Sequence, residues 1–164
     1  MDEIKIQLAC SQDVDEIEKL FSIAKESMRL NGNTVQWSQA YPSSKLILQD
    51  IENKHCYLVL YENKIVGVFS CIPGIDPTYK NIYQGAWLNS APYASIHRIA
   101  SSGEVKGITK HLFKFCFQKF PNIRIDTHPA NNSMQHILQK EGFSYCGRIR
   151  SAERIELLAF QKTI

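Results

Sequence analysis

From Ile96 to Lys110 the chain runs through a histidine-bearing segment, a glycine-bearing turn and the start of an apolar helix. Such a junction leaves the first N–H groups of the helix without backbone partners. They point one way, and the helix dipole adds partial positive charge. Together they suit an anion such as a diphosphate. Lys106, Lys110 and His111 can add charge. The alternative is an ordinary helix cap. His97 precedes the turn and is a side chain able to exchange a proton near neutral pH; its other reading is a buried histidine bonded to a neighbour.

A second constellation runs from Asp126 to Met134 and on to Gly142-Phe143. An asparagine at a strand end can bond an amide-bearing ligand or cap a helix, and Asn131 and Asn132 can divide those jobs. His128, before Pro129, is a second proton-transfer candidate or a turn histidine. Arg98 and Asp126 read as a structural pair across neighbouring strands, and Cys116 as packing on a core helix. The histidines and cysteines lack metal-ligand spacing, so no metal is expected.

These groups need a frame. Ile4, Ile6 and Leu8 alternate as in a strand, and Val14, Ile17, Leu20, Phe21, Ala24 and Met28 recur at helical spacing behind an Asp13/Glu16 capping box. Asn31-Gly32-Asn33 ends that helix. An aromatic, turn-rich stretch over Gln36 to Ser43 follows, and Ser43 or Ser44 caps a short helix on Leu46, Ile47 and Ile51. Cys56 to Tyr61 and Ile65 to Ile72 form a hairpin turned at Glu62-Asn63-Lys64. Asp76 to Pro92 is irregular, with Tyr79, Tyr83 and Trp87. Tyr93 to Ala100 reads as a central strand, Ile108 to Cys116 as a helix, Ile123 to Thr127 as a strand and Asn132 to Glu141 as a helix stopped by Gly142. Strands near Phe143 to Ile149 and Ile155 to Phe160 finish the chain. The order β-α-α-β-β-β-α-β-α-β-β implies an α+β fold around one mixed sheet.

The chain has 164 residues, 44% apolar and 21% charged, with a net charge of +3. That composition suits one soluble globular domain, and no basic tract points to nucleic acid. Five scattered cysteines without a CxxC pair argue against a disulfide framework and for free thiols in a reducing, cytoplasmic setting. The N-terminus lacks the apolar run of a secretory signal, and no stretch is long enough to span a membrane.

The paired segments resemble the acetyl-CoA-binding core of the GNAT superfamily of N-acetyltransferases. Its loop pattern (Gln/Arg)-x-x-Gly-x-(Gly/Ala) falls on Glu104-Val105-Lys106-Gly107-Ile108-Thr109, and its following strand, asparagine turn, helix and Gly-Phe pair fall on Ile123 to Phe143. The order of elements matches from about residue 4 to 162, which implies one N-acetyltransferase domain. The resemblance implies a mostly antiparallel sheet with helices on both faces and a splay between strands four and five. Pantetheine would lie in the splay, against Ile99, Ala100 and Ser101 and near Asn131. The N–H groups around Lys106 to Lys110 would hold the diphosphate, within a loop from Glu104 to Lys110. A small-molecule or peptide amine would attack the thioester directly, polarised by a fourth-strand N–H, with His97, His128 or Tyr145 handling protons. Trp37, Tyr41 and Tyr83 would border the acceptor cleft; their other role is to glue loops to the core. Family members occur as monomers or homodimers. The sequence departs from the pattern at Glu104, at Thr109 and at Leu138, where many members carry a tyrosine that protonates the leaving thiolate.

Overall fold

The computed structural model describes residues 3–32, 37 and 41–164. Asn33 and most of the aromatic stretch before Tyr41 lie outside the described residues. A sheet of β1 (Ile4–Leu8), β2 (Cys56–Tyr61), β3 (Lys64–Pro73), β4 (Ala94–Ser101), β5 (Asn122–Thr127), β6 (Ser144–Arg150) and β7 (Glu156–Thr163) runs in the order β1-β2-β3-β4-β5-β7-β6. Every neighbouring pair is antiparallel except β4 and β5. The β2–β3 hairpin turns on Glu62 and Asn63, both with positive φ.

Alternation along the strands feeds a core on each face. Val59, Phe69, Ile96, Ile123 and Ile125 pack with α3 (Ile108–Lys119) and α4 (Asn132–Lys140) through Leu112, Phe113, Cys116 and Leu138. Leu58, Val68 and Ala100 pack on the other face with α1 (Val14–Leu30) and α2 (Ser44–Glu52) through Ile17, Leu20, Phe21 and Ile47. Each buried Val, Leu, Ile or Phe among them contributes about 1.5–3 kcal/mol of transfer free energy.

Two caps show how the sequence sets these helices. Ser43 accepts from the Leu46 N–H at 3.1 Å and starts α2. Asp13 does not cap α1 through its side chain. It is instead the third residue of a short 3-10 turn at Ser11–Asp13, and its carboxylate reaches back to accept from the Cys10 N–H at 2.8 Å. The Asp13/Glu16 capping box is therefore corrected to a Cys10/Asp13 box one turn earlier. The irregular segment from Asp76 holds a second 3-10 turn, Pro77–Tyr79, and packs Tyr79 against Ile149, Leu157 and Ala159. All five cysteines are free. Among the described residues no helix is long and apolar enough to cross a membrane.

Candidate active site

The site begins with an extra residue in β4. Ser70 faces His97 and Val68 faces Ala100, so three steps on β4 oppose two on β3. Arg98 absorbs the excess with a φ of +53°. Such a bulge re-aims side chains. His97 and Arg98 consequently both serve the α1/α2 side, where they meet Asp76 and Asp50, while Ile99 packs with the α3/α4 core. The same strand leaves its parallel neighbour early. β4 and β5 pair only at Ala94–Ile123 and Ser95–Arg124. Beyond them the strands part around a cavity of about 550 Å³, lined by Ile96 to Ile99, by Ile125 to Thr127 and by Asn131 and Met134.

His97 and Asp76 meet inside this cavity, Nε2 to Oδ2, at 2.7 Å. Burial opposes ionisation of Asp76, but bonds from His97 and from the Thr78 hydroxyl and N–H outweigh it and hold the carboxyl down at about 2. An ionised Asp76 fixes the imidazole proton on Nε2 and leaves Nδ1 as the basic nitrogen, which bonds no described residue. The depressed value makes Asp76 stabilising above its ordinary value of 3.8, and that contribution is lost as pH falls toward about 2. The stability gap between wild type and Asp76→Asn, measured by urea unfolding, should therefore close between pH 4 and 2; a constant gap refutes the assignment.

Asp126 does not pair with Arg98. The bulge turns the guanidinium toward α2, where Asp50 takes it bidentately at 2.7 and 3.0 Å and itself accepts a further bond from the Ser70 hydroxyl. Arg98 also donates to the Tyr41 hydroxyl at 3.1 Å, and Tyr41 packs on Trp37 with ring centroids 5.8 Å apart. Asp126 accepts instead from the Tyr79 hydroxyl at 2.7 Å, and burial pushes its carboxyl above the usual range. The Arg98 and Asp50 side chains are only 11% and 8% exposed. Arg98→Ala, which strands Asp50, should cost about 3 kcal/mol in urea unfolding; a loss below about 1 kcal/mol would place the pair with ordinary surface bridges.

The turn from Ser102 to Gly107 is open. Gly103 and Gly107 hold φ of +79° and +80°, and a Cβ at either would meet nothing within 4 Å. Val105 and Ile108 anchor the turn to the core, while Lys106 and Lys110 stay exposed. Glu104 is drawn off to Lys64 at 2.8 Å on the outer surface, so its charge is answered there. At the far side of the splay, Asn131 lines the cavity and caps α4 by accepting from the Met134 N–H at 3.1 Å.

No family model matches the chain, and no curated protein matches it either. Solved structures do. A GNAT-family acetyltransferase from Streptococcus agalactiae is 30% identical, with a TM-score of 0.90 over 98% of this chain and 95% of that one. The chain belongs to the GNAT family of acetyltransferases. A GNAT-family acetyltransferase from Listeria monocytogenes, 18% identical, shares the fold at a TM-score of 0.73 over 98% of this chain and 95% of that one. So does Arabidopsis thaliana Naa50, 16% identical, at 0.63 over 98% and 99%; that protein was solved with the bisubstrate analogue CoA-Ac-MVNAL.

Within this GNAT frame the candidate residues separate. His97, Ile99, Asn131, Trp37 and Tyr41 line the cavity. Ala100 points into the α1/α2 core and Ser101 bonds the Gly103 N–H through its hydroxyl, so they offer backbone alone. His128 is not among the lining residues; its Nδ1 accepts from the Ala130 N–H at 3.0 Å, and burial lowers its pKa. Tyr145 stands on edge strand β6, 53% exposed and packed on Phe160, away from the cavity. Tyr83 bridges to Arg148 and lies under Arg150, also outside it. Leu138 is fully buried in the core. Among the described residues no group of His, Cys, Asp and Glu could hold a metal ion.

Asp50 and the pairing of Asp76 escaped the sequence reading, and Tyr79 enters it only as an aromatic of the irregular segment, not as the donor to Asp126. Asp50 was legible in principle, since it sits three residues after Ile47 on the apolar face of α2, where a charge needs a partner. Thr127 also stands out. It is 1% exposed, lines the cavity, and its Oγ1 has no hydrogen-bond partner.

Proposed function

We propose that the chain transfers an acetyl group from acetyl-CoA to a primary amine by direct attack on the thioester. The observation that carries this reading is the splay of β4 from β5, which joins a pantetheine-sized gap to the His97–Asp76 pair in one cavity. Acetyl-CoA supplies the activated acyl group. The N–H groups of the first turn of α3, opened by Gly107, suit its diphosphate. Ile99, Asn131 and the orphaned Thr127 hydroxyl flank the pantetheine path. A fourth-strand N–H beside the bulge would polarise the thioester oxygen. His97 Nδ1 takes the proton that an ammonium must lose before it can attack, and Asp76 holds the ring and stabilises the imidazolium. Trp37 and Tyr41 border the acceptor side.

Acetyl-CoA incubated with a panel of primary amines, followed by thiol release and product mass, tests the reading. Leu138 supports one rival, a module that holds acyl-CoA without turning it over, because no tyrosine stands at that position to protonate the thiolate. Tight CoA binding with no thiol release across the panel would favour the module. A protein with no CoA site would show no thermal shift, whereas saturation at about a hundred times Kd adds roughly 2.7 kcal/mol.

A further inference from the structure

The charges around the cavity are unbalanced. Its lining acids are Asp76, Asp126 and Glu153, and its lining bases are His97 and Arg98. Arg98 is consumed by Asp50, which itself lies outside the cavity. Asp76 is consumed by His97. Asp126 is left with one neutral donor, the Tyr79 hydroxyl, and Glu153 forms no ion pair with a described residue. Arg150 and Arg154 flank the Glu153 loop without lining the cavity. Glu153 is exposed, whereas Asp126 is half-buried, and a carboxylate withdrawn from water without an ion-pair partner is costly unless something answers it.

We infer, on the acetyl-transfer reading above, that the acceptor is a cationic amine with a second positive group, such as an alkyl diamine, and without a carboxylate. The reacting nitrogen must shed its proton to His97, so attraction between that nitrogen and the acids is lost as the reaction proceeds. Attraction to a second nitrogen, which stays charged, survives into the transition state and therefore favours turnover. Asp126 lies near His97, the exposed Glu153 lies on the loop between β6 and β7, and Met28, Ile75 and Ile155 offer an apolar lining that suits an alkyl spacer. The tilted Trp37 and Tyr41 rings add faces for a cation. An acceptor's own carboxylate finds no free cation in the lining and meets Asp126 and Glu153 as like charges.

Three acceptors of equal chain length test this: 1,5-diaminopentane, pentylamine and 5-aminopentanoate. Retention of charge should give the diamine about tenfold higher kcat/KM than pentylamine, and 5-aminopentanoate about tenfold lower. Glu153→Gln should shrink the diamine-to-pentylamine ratio several-fold. Equal rates for diamine and monoamine, or a preference for the amino acid, overturn the inference and leave acetyl transfer intact. If none of the three is acetylated, that reading suffers and binding decides the inference. With CoA saturating, 1,5-diaminopentane must then raise the Tm more than 5-aminopentanoate does, and equal or absent shifts overturn it.

Discussion

His97→Ala should lower kcat by about a thousandfold while CoA affinity changes by less than about threefold. Positioned acid–base catalysis contributes about a hundredfold to ten-thousandfold, and His97 is the one lining side chain with a basic nitrogen left unbonded by described residues. Its ring lies on the α1/α2 side of the sheet, opposite the Ile99 side where pantetheine would run, so CoA contacts should survive its removal. Alanine also strips Asp76 of its partner, and that structural loss needs separating from lost chemistry. His97→Gln does so, because the amide can still donate to Asp76 but cannot take a proton. Both variants should share the loss in kcat, with His97→Gln closer to wild type in Tm. Restored turnover in the glutamine variant would make His97 a structural residue, and equal losses in turnover and CoA affinity would remove it from the proton path.

The order of strands and helices was legible because alternation and 3.6-residue periodicity are local properties of the chain. The Ile108, Leu112 and Cys116 repeat marks α3, and the turn residues at Glu62-Asn63 mark the hairpin. The splay entered through resemblance to a family and is carried in the structure by two paired positions on β4 and β5. The partners of the polar groups were not legible. An Arg98–Asp126 pair follows from an uninterrupted β4, but one residue with positive φ moves the guanidinium to Asp50, forty-eight residues away in sequence. Asp76 reaches His97 only because a 3-10 turn at Pro77–Tyr79 folds the irregular segment back over the sheet. Long-range side-chain pairing depends on such local exceptions, and they leave little trace in periodicity. Tyr145 and Tyr83 show the converse: residue type made them candidates, while strand position put them outside the cavity.

Gly107→Val should weaken CoA binding at least about a hundredfold and leave a folded protein. Gly107 sits at the junction of turn and α3 with φ +80° and ψ +14°, a conformation that costs an L-residue about 1–2 kcal/mol. A side chain there would meet no protein atom within 4 Å. Nothing of the protein fills that space, and on the proposed reading it is the side from which phosphate oxygens would reach the first N–H groups of the helix. Strain and obstruction are separable through Gly32, which has φ +84°, equally open surroundings and a place beyond the end of α1. Gly32→Val should lose comparable stability and retain CoA affinity within about threefold, whereas Gly107→Val should lose both, by thermal unfolding and calorimetric titration with CoA. Unchanged affinity in Gly107→Val would mean that the diphosphate lies elsewhere. On this reading the cradle would depend on backbone alone, and it would tolerate Glu104 and Thr109 at positions where the family pattern has other side chains, provided that Glu104 stays turned to Lys64.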